Sequence, residues 1–127
     1  MKVFSAGVAA VLAIAFAAAT GGGANAADAA KGKTVFARCA ICHTTTKGGP
    51  NGIGPDLFGV VGRKAGTVPD FAYSAAMKNS GITWTPEKLD SYVAHPSAVV
   101  PGNRMAFAGI FDAGQRADVV AYLATLK

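Results

Sequence analysis

The hydrophobic pattern divides this chain into an unbroken apolar stretch, a helical segment, a long loop and several short amphipathic segments. One cation, Lys2, precedes a run that is almost wholly apolar through Ala19. A glycine-rich break and the small residues Ala24-Asn25-Ala26 follow. A positive start, an apolar stretch and a small-residue site in that order predict an export signal over residues 1–26, cut near Ala26–Ala27. The alternative is an uncleaved membrane anchor. The run is short and rich in alanine for a span, which needs about 20 strongly apolar residues.

Residues 27–127 then form one domain. The segment 27–40 reads as a helix with Val35 and Phe36 on its buried side. Gly32 inside it costs about 1 kcal/mol relative to alanine, which a close helix–helix crossing would explain. From 44 to 70, glycine and proline interrupt every period, and the segment reads as loop. A loop of that length in a small domain is functional or organised by something else, such as a bound cofactor. Residues 71–81 predict a short helix closed by Gly81. Thr85 can cap the next helix, with Pro86 in its first turn and Leu89, Tyr92 and Val93 on one apolar face. His95-Pro96 should stop it. The last helix starts at Asp112, whose spacing from Gln115 fits a capping box, and Val119, Val120, Leu123 and Leu126 form its inward stripe. Strand signals are weak. The expectation is an all-α domain of about four to five short helices and long loops, with few large aliphatic side chains.

Charge and composition narrow the function classes. Without Lys2 the chain carries 11 basic and 7 acidic side chains, a formal balance of +4. That suits contact with acidic protein surfaces. The bases are scattered and no nucleic-acid motif is present, which argues against nucleic acid as a partner.

The chemistry concentrates in "RCAICHTTT", which holds both cysteines as Cys39-x-x-Cys42-His43. Zinc sites separate their ligand pairs, whereas His43 directly follows Cys42. A redox dithiol expects a strand before the motif in an α/β pattern, and here a helix precedes it. A disulfide across two intervening residues would close a tiny loop and stabilise little. Haem attachment uses all three residues: two thioethers and an axial imidazole. Its large apolar surface would complete a sparse core. A sixth ligand could then be His95, Met77 or Met105, which spacing alone does not separate. Context favours Met105, whose "PGNRMAF" segment has a Pro-Gly turn able to lay an extended loop across a flat ring.

From about Lys31 to its end the chain resembles a class I cytochrome c of the mitochondrial-like bacterial branch. The blocks that carry the resemblance are "CAICH", "GIGPDLFGVVGRKAG", "GITW", "PGNRMAFAGI" and "DVVAYL", in that order. The resemblance implies a cytochrome c fold around one covalently attached haem c, with Met105 opposite His43. It places Pro55 as acceptor for the second imidazole nitrogen. Tyr73 and Trp84, with Arg63 nearby, fall at positions that bond a haem propionate, and Tyr92 falls where a phenol faces the methionine sulfur. Gly32, Phe36 and Tyr122 fall in the crossing of first and last helices.

Departures from the family pattern are Met77 in place of an asparagine and Asn103 in place of a threonine. Ser97, Ala98, Phe111 and Asp112 replace lysines near the exposed haem edge, which thins the positive docking ring. The implied function is a soluble periplasmic one-electron carrier. It would shuttle between membrane redox complexes, such as a cytochrome bc complex and a terminal oxidase or photosynthetic reaction centre. It would be a monomer and not an enzyme, docking transiently with help from Arg38, Lys47 and Arg104. The competing reading is a small haem peroxidase or gas sensor with a labile sixth ligand.

Overall fold

The computed structural model describes residues 26–127, so the proposed export signal, all but its last residue Ala26, falls outside the described residues. Six helical segments appear in order: α1 (Ala29–Val35), α2 (Ala37–Ala40), α3 (Ala75–Lys78), α4 (Pro86–Ala94), α5 (Pro96–Val99) and α6 (Ala113–Ala124). Among the described residues there is no strand, and the one β-type pairing is an isolated bridge between Lys64 and Thr83. No described helix is long and apolar enough to cross a membrane.

The helix expected over 27–40 is broken at Phe36. The backbone there stays right-handed (φ −59°, ψ −19°), but the Cys39 and Ala40 amides both donate to the Phe36 carbonyl. That tighter turn ends α1 and re-aims the chain into α2. Upstream, the Asp28 carboxylate caps α1 by accepting from the Ala30 and Lys31 amides at 2.9 and 3.1 Å. The Asp28 amide in turn donates to Asp118 on α6 at 2.8 Å.

The crossing of α1 and α6 sets the frame. A Cβ on Gly32 would fall on the Asp118 carbonyl and within 2.9 Å of the Tyr122 Cβ, so only glycine lets the two backbones meet. Phe36 then stacks obliquely on Tyr122, with ring centroids 5.2 Å apart. Such an aromatic pair adds to the burial of α1 against α6.

Helices α4 and α6 begin as their sequences predict. The Thr85 hydroxyl accepts from the Lys88 amide, with Pro86 in the first turn, and the Asp112 carboxylate accepts from the Gln115 amide at 2.8 Å. Leu89 and Tyr92 are buried on α4, and Val119, Val120 and Leu123 on α6. Two boundaries differ from expectation. Only Ala75–Lys78 is helical within 71–81, because Ser74 caps there by accepting from the Met77 amide. His95-Pro96 ends α4 but also starts α5, since proline lacks only an amide that a first turn does not use.

The 44–70 segment is loop, as expected, yet it is pinned throughout. Leu57 donates to Thr44, Gly59 to Leu126 near the C-terminus, Gly62 to Trp84, and Ala65 to Ile82. These bonds hold the loop against α6 and the 82–84 segment.

Replacing Gly32 with alanine should force α1 and α6 apart. We expect a loss of about 2–4 kcal/mol in denaturant-measured stability, the cost of an overpacked contact between rigid backbones. A G32A protein with unchanged stability would mean that the crossing is loose.

Candidate functional site

A predominantly apolar cavity of about 400 Å³ opens between α2, α4, α6 and the segment 103–107. Its wall includes Cys39, Cys42 and His43 on one side and Met105 on another, together with Trp84, Tyr92, Tyr73, Arg63 and Pro55. These nine residues, all named as site residues from the sequence, therefore line one space.

Local backbone bonds explain how the cysteine–histidine stretch is presented. The Cys42 and His43 amides both donate to the Cys39 carbonyl, at 3.0 and 2.9 Å. The chain thus makes one tight turn that turns Cys42 and His43 back beside Cys39. No disulfide joins the cysteines. Burial pushes the Cys39 thiol pKa up, opposed by the Arg38 charge.

The His43 Nδ1–H donates to the Pro55 carbonyl at 2.7 Å. This bond fixes the tautomer and leaves Nε2 as the lone-pair nitrogen, the form that can bind a metal. Gly54 lies flat against the imidazole, and a Cβ there would collide with the ring. Burial lowers the His43 pKa; the Pro55 bond opposes the shift and the Arg63 charge adds to it. Burial thus disfavours the charged ring, and the Pro55 bond orients it.

Met105 is partly buried in the segment after α5. The Asn103 amide group donates to the Val100 carbonyl while its oxygen accepts from the Met105 amide at 2.8 Å. Asn103 thus shapes the turn before the methionine. From α4, the Tyr92 hydroxyl donates toward the Met105 sulfur at 3.9 Å. Tyr92 also packs on Trp84, with centroids 4.9 Å apart. Burial pushes its phenol pKa up to about 12.

Arg63 lies at another part of the cavity wall. Its guanidinium donates to the Phe58 and Asp56 carbonyls at 3.0 and 3.1 Å. Burial draws its pKa down, while Tyr73 and Asp56 oppose the shift. The Tyr73 hydroxyl oxygen accepts from the Val68 amide at 3.0 Å. The guanidinium, phenol and Trp84 indole offer donors along an otherwise apolar wall, a combination suited to a flat apolar group with acidic edges.

The other candidates separate clearly. Met77 lines the cavity from α3. His95 is exposed at the α4–α5 junction, is absent from the cavity wall, and lies near the Phe111 ring at 6.3 Å. Arg38 and Arg104 line the cavity and are exposed, whereas Lys47 is exposed in a turn away from it. Ile53, 79 % exposed, borders the cavity beside Gly54, and Ile41 next to Cys42 is 78 % exposed.

Two supporting residues carry no mark in the sequence. Asn51 accepts from the Asp56 amide and donates to the Pro69 carbonyl, bridging the long loop. Buried Asp56 accepts from the Phe58 amide, fixing the turn whose carbonyls hold Arg63. Both are polar residues in a Gly/Pro-rich loop, and no spacing rule identifies them as structural.

Comparison with known proteins agrees with this arrangement. The family model described as "Cytochrome c" matches residues 29–127. The chain is 51 % identical over 100 residues to a cytochrome c2 of Rhodomicrobium vannielii, covering 79 % of this chain and 80 % of that protein. It is 48 % identical over 107 residues to a cytochrome c2 of Rhodopila globiformis, covering 84 % of this chain and all (100 %) of that one. Among solved structures, cytochrome cH from Methylobacterium extorquens superposes with a TM-score of 0.73 at 46 % identity, over 77 % of this chain and 98 % of that chain. The chain belongs to the cytochrome c family: it is an electron carrier with a covalently attached c-type haem, and it is not an enzyme.

Proposed function

We propose that the protein is a one-electron shuttle whose single haem is bound through Cys39 and Cys42 and ligated by His43 and Met105. The observation that carries this reading is that imidazole and thioether line the same apolar cavity, each held by its own hydrogen bond, His43 donating to the Pro55 carbonyl and Met105 accepting from the Tyr92 hydroxyl. When bound, the haem supplies an iron that accepts and releases one electron. The chain's residues set the conditions. The Pro55 carbonyl orients His43 and raises its basicity as a ligand. A soft thioether and an apolar surrounding favour the less charged ferrous state, which raises the reduction potential. With His43 and Met105 both holding the iron, no position would be left for a substrate, and little would need to move on electron transfer.

Arg63, Tyr73 and Trp84 are the groups we assign to the haem propionates. A buried carboxylate without such donors would be strongly disfavoured. Removal of residues 1–26 would release the domain into the periplasm. There it would act as a monomer between membrane redox complexes, with a cytochrome bc complex as one donor and a terminal oxidase or photosynthetic reaction centre as acceptor. Arg38, Lys47 and Arg104 would help it dock, in contacts that weaken as salt rises.

Replacing Met105 with alanine should leave the haem attached and lower the potential by on the order of 0.1 V, within the roughly 0.8 V that axial ligand choice spans. The far-red ferric thioether band should vanish, and carbon monoxide should bind the reduced protein rapidly. Retention of that band in M105A would assign the sulfur ligand elsewhere, with Met77 the next candidate.

Tyr92 gives a pH signature. Its phenol pKa is about 12 in the fold, against about 10 in an unfolded chain. Between those values the folded chain keeps a proton that the unfolded chain releases. Its contribution is therefore complete below about pH 10 and is lost as the pH rises toward 12. Tyr92→Phe should flatten the fall of urea stability across that window by on the order of 1–2 kcal/mol. Parallel curves for both proteins would show that the phenol does not couple to folding.

A further inference from the structure

The segment between α5 and α6 carries Met105, and most of its hydrogen bonds stay within it. Among the described residues, few ties reach the rest of the molecule. Arg104 donates to the Tyr73 carbonyl at 2.7 Å, and Ile110 donates to the Val93 carbonyl at 2.8 Å. The Tyr92 hydroxyl on α4 also donates toward the Met105 sulfur at 3.9 Å, and a single side chain on α6 holds the segment's far end. Arg116 donates from Nη1 to both the Ile110 and Phe111 carbonyls, each at 3.0 Å, and from Nε to the Asp90 carboxylate on α4 at 3.1 Å.

This guanidinium therefore joins α4, α6 and the exit of the Met105 segment at one point. It is only 17 % exposed, and Ile110 is 1 % exposed. The segment approaches α4 so closely that a Cβ on Gly109 (φ +120°) would strike the Ala94 carbonyl. Arginine is suited to the place because its planar fork presents several donors in fixed directions, which a lysine ammonium does not. Its position near the start of α6 also runs against the helix dipole, where a cation is disfavoured. The Asp90 carboxylate and the two carbonyls offset that cost.

We propose that Arg116 is a positioning residue for Met105. By holding the Ile110 and Phe111 carbonyls, it fixes where the segment ends and so keeps the sulfur opposite His43. This rests on the reading of Met105 as an axial ligand. The role belongs to the guanidinium–carbonyl contacts. The ion pair with Asp90 orients the fork but does not itself hold the segment.

The test uses ferric holoprotein and exogenous imidazole, which can bind iron only when the sulfur departs. The saturating rate of imidazole binding then reports how often the segment opens. The far-red thioether band of the unmutated protein is recorded first, and its absence would overturn the Met105 reading itself. With the band present, Arg116→Lys keeps the charge beside Asp90 but loses the fork, and should raise the saturating rate by about tenfold or more. Arg116→Gln should do at least as much, and Asp90→Asn should raise the rate by less than about threefold. Val120→Ala is the control for general softening, since this buried α6 residue lies off the cavity wall. An unchanged rate in R116K would overturn the proposal. So would an equal acceleration in V120A, which would make the effect one of global stability. An acceleration in D90N equal to that in R116K would move the role from the carbonyl contacts to the ion pair, and would also overturn it.

Discussion

The contact between the backbones of α1 and α6 at Gly32 is the constraint on which the rest of this molecule depends. It places Phe36 against Tyr122, and the tightened turn at Phe36 then directs Cys39, Cys42 and His43 to the cavity. Helix α6 carries the other half of that frame. Val119 and Leu123 line the cavity from it, and its capped start fixes the end of the segment that carries Met105. A side chain at position 32 would thus disturb more than helix packing. It would shift the Cys39–His43 stretch relative to every wall it faces.

The site relies on a few directional bonds set in apolar surroundings. A prolyl carbonyl and a phenol reach the two ligating candidates from different parts of the chain, and Asn103 supplies the turn between them. Burial disfavours the charged form of both His43 and Tyr92, in the direction that keeps these donors and acceptors in their roles. Such preset geometry suits a carrier, because an electron moves readily only when few atoms must follow it.

Much of this arrangement is legible in the amino-acid sequence. Thr85, Pro86 and Asp112 mark helix starts by local chemistry that operates within one turn, and the fold uses them as written. The awkward glycine at 32 points to a crossing, since a costly residue inside a helix needs a tertiary reason. The Cys39–His43 stretch stands out because two thioethers and an axial ligand would call for residues set this close together. Other features are not. The break at Phe36 and the added turn at Pro96–Val99 depend on tertiary packing that a short window does not contain. Asn51, Asp56 and Arg116 act on backbone carbonyls and amides, which leave no trace in a pattern of side chains.

Arg104 also bears on how a partner is met. It is exposed at the cavity, yet its guanidinium is already tied to the Tyr73 carbonyl. A long cationic side chain normally surrenders rotamer freedom when a complex forms, and that loss opposes binding. Here much of the loss has already occurred during folding. If Arg104 meets a partner as proposed, an approaching carboxylate would find a charge at a fixed address, whereas Lys47 in its open turn would still have to be ordered. The two cations differ little in charge and much in preorganisation. In the proposed docking, that difference would leave Arg104 with less ordering to lose than Lys47.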